Sequence, residues 1–248
     1  FVDVGPITSK VRCDFYDVAT ELYVRAFFKQ IHDYIDTYGM KFVGHILYEG
    51  LLYPQVRSEG NFFRVTRYLH YAGIDFFEGT WPTKPGLFSG DNLCGPKFAS
   101  SAAHLLEKPR VFSENFTVHG WKQDLRLMKR STDWQIALGV NFFGHMAFFY
   151  SLQGYRKRQW PGACCNSTFW PYYKIYTDHV GRLCSVLSGG RHIADIAVLY
   201  PVKSIWAKMD PRPTSLVERI QSDFTYLTEA LLRLHLDFDY IDEDLLQE

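Results

Sequence analysis

Several of the sequence signatures that assign a chemistry at sight are missing here. No GxGxxG or GxxxxGKS/T turn links a strand to a helix, which argues against a nucleotide-binding fold. No GxSxG turn offers a serine nucleophile, and no HExxH pair offers a helical zinc site. Cys13, Cys94, Cys164, Cys165 and Cys184 are odd in number and lack CxxC spacing, and neighbouring Cys164 and Cys165 are poor partners for each other. Reduced thiols are therefore expected, with neither a disulfide framework nor a cysteine metal site. An excess of one charge is absent as well. Twenty-seven basic residues balance 27 acidic ones, so no electrostatic footprint points to nucleic acid or to an anionic membrane. No apolar run is long enough to span a bilayer, and no charged start leads into an apolar leader segment. The chain opens on Phe1, and both ends read as cut from something longer, so the lack of a leader says nothing of export; a periplasmic or secreted parent protein is compatible with the sequence.

What is present is a core and a rhythm. Of 248 residues, 47% are hydrophobic and 22% charged, enough to bury a substantial interior. Four times a helical stretch runs into a short apolar segment that stops at a polar cluster. Asp17 to Tyr38 has helical spacing and precedes a strand over Lys41 to Glu49; Asn61 to Tyr71 precedes a strand over Gly73 to Glu78. Lys97 to Leu106 precedes a strand that begins at Val111 and delivers Glu114, and Lys122 to Leu138 precedes one over Gly139 to Met146. Helix alternating with strand at this period predicts a parallel α/β barrel or a doubly wound sheet. A loop from Tyr150 to Pro171 and a helix from Trp170 to Leu187 close the series at Gly189-Gly190. A strand over Ala194 to Pro201, a helix over Ser215 to Leu236 and a strand over Asp237 to Asp242 then read as one β-α-β unit of a second α/β domain. A complete eightfold barrel takes about 250 residues, so four units amount to half of one. The expected organisation is residues 1–190 as strands five to eight of a (β/α)8 barrel, and residues 191–248 as the start of the next domain.

In such a barrel the C-terminal strand ends carry the chemistry. Glu114 is the leading candidate for an acid or base. Glu49 ends an earlier strand as an alternative acid or a sugar ligand, while Asp75 and Glu78 end the strand between and suit sugar hydroxyls or a cation. His45 and His145 lie near strand ends, where an imidazole can meet a hydroxyl or a carboxylate, or sit as an ordinary interior histidine. His104, on a helix, faces packing or a nearby loop. Aromatic residues make up 17% of the chain, and Trp81, Trp121, Trp160 and Trp170 lie in or beside segments that follow strands. Trp81 and Trp121, which follow Glu78 and Glu114 most closely, are the first candidates for a sugar-stacking platform; each would serve equally to close the barrel mouth.

The ordered segments "KFVGHILYEG", "KFASSAAHLLEKPRVFSENF", "MKRSTDWQIALGVNFFGHMAFFYS" and "GRHIADIAVLYP" resemble the catalytic barrel and following domain of glycoside hydrolase family 106, the α-L-rhamnosidases. The resemblance spans nearly the whole chain. Its motifs are short enough to be shared with β-galactosidase-like barrel enzymes, or with a non-catalytic carbohydrate-binding relative. It implies a rhamnose-containing carbohydrate substrate, inverting hydrolysis and assistance by calcium, with metal ligands left unassigned. By the same resemblance Glu114 is the general base, His45 is a sugar contact, and the acid belongs to an earlier strand ahead of residue 1.

Overall fold

The computed structural model describes residues 3–76, 87–88, 90–116, 120–146, 148–149, 151–157 and 165–247. Three strands, β1 (Ala72–Phe76), β2 (Val111–Asn115) and β3 (Phe142–His145), form one sheet in sequence order, and both pairings are parallel. Parallel neighbours need a crossover, and the helices provide it. Helix α5 (Gly90–Leu105) returns the chain from β1 to β2, and α6 (Leu125–Ala137) returns it from β2 to β3. Ahead of the sheet lie α1 (Ile7–Tyr23), a π-helical stretch (Val24–Lys29), α2 (Gln30–Asp36), α3 (Leu52–Glu59) and α4 (Phe62–Thr66). Beyond it come α7 (Tyr173–Leu187), β4 (Ala197–Leu199), α8 (Val202–Ala207), α9 (Ser215–Arg233) and β5 (Asp239–Ile241). The last two strands pair in parallel as a separate two-stranded sheet, as the β-α-β pattern predicts.

The strand expected over Lys41 to Glu49 is not a strand. It meets β1's leading edge through one parallel bridge, Val43 to Tyr71, and through reciprocal bonds: Phe42 N–H donates to His70 Nδ1, and His70 N–H to the Phe42 carbonyl. Beyond Gly44 the backbone leaves the ladder. Leu47 N–H donates to the Glu59 side chain, and Tyr48 adopts a left-handed φ of 63°. Two helices, α3 and α8, fall where no helix was expected.

Residues paired in parallel point to the same side, so the register builds two rows. Gly73, Phe112 and Phe142 make the lower row; Asp75, Glu114 and Gly144 make the one above. The two glycines make room for one ring. A Cβ at Gly144 would lie 2.9 Å from the Phe112 ring, and one at Gly73 would lie 2.9 Å from the same ring and 2.1 Å from the Gly44 carbonyl oxygen. The opposite face, with Ala72, Ile74, Phe76 and Val111, is buried with α5 residues in the core.

Helix α5 contains an interior proline, Pro96. Proline removes the N–H that would reach the Asn92 carbonyl four residues back. Trp134 Nε1–H of α6 donates to that carbonyl at 3.1 Å and so satisfies the acceptor from the neighbouring helix. The core is continuous from the three-stranded sheet to the β4-β5 unit. Phe98 of α5 lies against Tyr240 at 4.5 Å, Tyr200 at 5.1 Å, Phe62 at 5.3 Å and Phe224 at 5.8 Å between ring centroids. Cys13, Cys94, Cys165 and Cys184 are free thiols. No described helix is long and apolar enough to cross a membrane.

Candidate active site at the strand ends

Glu114 is the fourth residue of β2, beside Asp75 of β1 on the same side of the sheet. His45, carried by the irregular segment after Val43, faces them. The imidazole nitrogen and the two carboxylate oxygens all lie within 4.8 Å of one another, with His45 Nε2 3.6 Å from Glu114 Oε2. The other ring nitrogen, Nδ1, lies 3.0 Å from Glu49 Oε1 and 2.5 Å from the Ile46 carbonyl oxygen. Glu49 Oε1 also accepts from the Asp75 backbone N–H at 3.3 Å. A buried carboxylate thus ties the irregular segment to β1 and orients the histidine toward Glu114.

Burial of His45 by itself would lower its pKa, but the hydrogen bond and charge of Glu49, the charge of Asp75 and the Ile46 carbonyl outweigh it and raise the imidazole to about 9. Burial of Glu49, only 3% exposed, pushes its carboxyl up to about 7 against the bond and charge of His45. Glu59, also buried, stands well above the usual carboxylate range through desolvation and the nearby charge of Glu49, and its Oε2 has no hydrogen-bond partner among the described residues. A cavity of about 480 Å³ lies beside this cluster, lined by Phe27, Phe28, Phe42, His45, Ile46 and Glu59 among others.

Of the residues expected at the site, the structure brings Glu114, His45, Glu49 and Asp75 together. His145 is placed next along its strand from Gly144, Glu114's neighbour, but both ring nitrogens are engaged. Nδ1 meets the Tyr173 hydroxyl and Nε2 lies 3.2 Å from the Tyr176 hydroxyl. Desolvation lowers its pKa to about 4, so it stays neutral. Trp121 is 64% exposed on the 3-10 turn Gly120–Lys122. Trp170 stacks on Tyr173 at 5.2 Å. Glu78, Trp81 and Trp160 lie outside the described residues. Glu59 was not expected at all, because the helix that carries it was not legible.

A calcium ion prefers six to eight oxygen ligands. The cluster of His45, Asp75 and Glu114 supplies two carboxylates and an imidazole that retains its proton at neutral pH, which does not fit that preference.

No family model matches the chain. A curated protein of Formosa agariphila, "Putative beta-glucuronidase", is 25% identical over 211 residues, covering 80% of this chain and 16% of its own length. Among solved structures, the rhamnosidase from Novosphingobium sp. PP1Y superposes with a TM-score of 0.66 at 16% identity, covering 95% of this chain and 21% of that one. The chain therefore spans about a fifth or less of the length of each of these two proteins, and the structural likeness shows a shared α/β fold.

Proposed function

We propose that this chain is part of the catalytic (β/α)8 barrel of a glycoside hydrolase acting on a rhamnoside, with Glu114 as the general base that activates water. The observation that carries this reading is the meeting of Glu114, Asp75 and His45 at the C-terminal ends of parallel strands, where an α/β barrel places its chemistry. The likeness to a rhamnosidase structure and the sequence similarity to a protein named for beta-glucuronidase support the glycosidase class. The rhamnoside and the inverting course rest on the family resemblance of the sequence.

Inversion needs an acid and a base about 6.5–9.5 Å apart, so that water fits beneath the sugar ring. Asp75 comes within 4.8 Å of Glu114, too close to be the partner acid, and is suited instead to hold a sugar hydroxyl. Glu49 is buried and already bonded to His45 and the Asp75 amide, so it positions the histidine and does not reach a glycosidic oxygen. The proton donor is assigned to neither residue. His45, cationic at neutral pH, orients Glu114 and can donate to substrate oxygen through Nε2.

The test uses the full-length protein on an aryl α-L-rhamnoside and an aryl β-D-glucuronide. The expected result is turnover of the rhamnoside, with kcat/KM reduced about 10²- to 10⁴-fold in Glu114→Gln, the usual loss for a general base. Turnover of the glucuronide alone would replace the substrate and keep the class. Wild-type kcat/KM in the variant would remove Glu114 from the chemistry.

A further inference from the structure

A second cluster of ligand-type side chains lies away from the strand ends. His104 is the penultimate residue of α5, His192 lies in the connector after α7, and Asp239 opens β5. One ligand atom from each lies within 4.8 Å of the others. His104 Nδ1 is 2.9 Å from Asp239 Oδ1, while His192 Nε2 is 3.8 Å from Asp239 Oδ2 and 3.6 Å from Asp237 Oδ2. The last two separations are too long for hydrogen bonds. His192 Nε2 is accordingly a buried nitrogen with no hydrogen-bond partner among the described residues, although two carboxylates face it.

We propose that His104, His192 and Asp239 bind a divalent transition-metal ion of the zinc class, with Asp237 Oδ2 or water as the fourth donor. Zinc holds nitrogen and carboxylate ligands at about 2.0–2.2 Å in a tetrahedron, which sets neighbouring donor atoms roughly 3.3 Å apart. The distances of 2.9, 3.6 and 3.8 Å lie around that edge, and seating the ion requires the imidazoles to turn out of their stack and His104 Nδ1 to exchange its bond to Asp239 for one to the metal. Two imidazoles with a carboxylate also suit zinc better than calcium or magnesium. The rings now stack in parallel at 3.8 Å, so their in-plane lone pairs run side by side and converge on one ion only when the rings turn apart.

The surroundings supply a second shell and a way in. Buried Lys97 donates to Asp237 Oδ1 at 2.8 Å and fixes that carboxylate with its other oxygen toward His192. A cavity of about 520 Å³ opens onto His104, His192 and Asp237. Lys108, Arg110 and Arg191 line the same cavity and would repel a cation bound by charge alone, so affinity must come from the nitrogen donors. Residues 104, 192 and 239 are far apart in sequence, and one ion joining them would clamp α5, the connector and β5 together.

The experiment is titration of the full-length protein with Zn²⁺, and with Co²⁺ as a visible reporter of tetrahedral coordination, followed by thermal melting. One equivalent should bind and raise Tm. His192→Gln and His104→Gln should each lose that equivalent and its Tm increment, while Glu114→Gln should keep both. Ca²⁺ and Mg²⁺ should produce neither effect. Should one histidine variant fail to fold, the other gives the same comparison. Zinc stoichiometry unchanged in a folded histidine variant, or no zinc binding by the wild type at millimolar concentration, would overturn the site.

Discussion

At the scale of single residues, His45 and Glu49 make the molecule's stability depend on pH in one direction. His45 has a folded pKa of about 9 against 6.5 unfolded, so its contribution is complete below about 6.5 and is lost as pH rises through 9. Glu49 has a folded pKa of about 7 against 4.5, so the folded state holds its proton more tightly and loses stability as pH rises from 4.5 through 7. Both slopes fall toward alkaline pH. Tm should therefore fall as the pH is raised from 6 to 9. His45→Gln should flatten the profile, and identical slopes in the two proteins would show that the pair does not govern it. Glu114 and Glu49 were legible in the sequence because each closes an apolar run with a polar group, and His45 because it lies near the end of such a run. The partners of His145 were not legible, since Tyr173 and Tyr176 come from a helix about 30 residues further on and reach it through tertiary packing.

At the scale of elements, the approach of the irregular segment to β1 depends on a missing side chain. Gly73→Ala would place a methyl group 2.1 Å from the Gly44 backbone oxygen, and backbone cannot rotate away as a side chain end can. Overpacking of this kind costs about 1–3 kcal/mol. Because Gly44 precedes His45, Gly73→Ala should lower Tm and reduce turnover together, whereas a variant with wild-type melting and activity would show that the segment yields freely. The sequence predicted β1, β2, β3 and the helices between them because short apolar runs alternate there with stretches of period 3.6. It did not predict that Lys41 to Glu49 would leave the ladder. That run is as apolar as a strand, but Glu59 and Glu49 take up amides at Leu47 and Asp75. Helix α3 was obscured by Pro54, which is tolerated in a first turn yet reads as a loop signal. Helix α8 was obscured by its proline-rich flanks, although Val202, Ile205 and Trp206 are all buried.

At the scale of the whole molecule, α1 presents an apolar stripe to solvent. Ile7, Val11, Phe15, Val18 and Leu22 recur at helical spacing and are each 55–60% exposed. A contiguous patch of this kind on an isolated chain drives association. The 248-residue chain alone should therefore elute well above its 28.9 kDa at micromolar concentration, and Val11→Lys combined with Val18→Glu should shift it toward the monomer. Monomeric elution of the unsubstituted chain would show that the stripe is inert. The two strand groups share one further property, the parallel direction of every described pairing. Among the described residues no hairpin starts either sheet, so β1 must wait for β2 until the intervening chain has been made. About 35 residues separate Phe76 from Val111, and at roughly 5–20 residues per second a ribosome needs about 2–7 s to deliver them. During that interval the edge of β1 is open to any other extended chain, which makes the pace of synthesis, and not only the final packing, a determinant of how much of this protein reaches its native state.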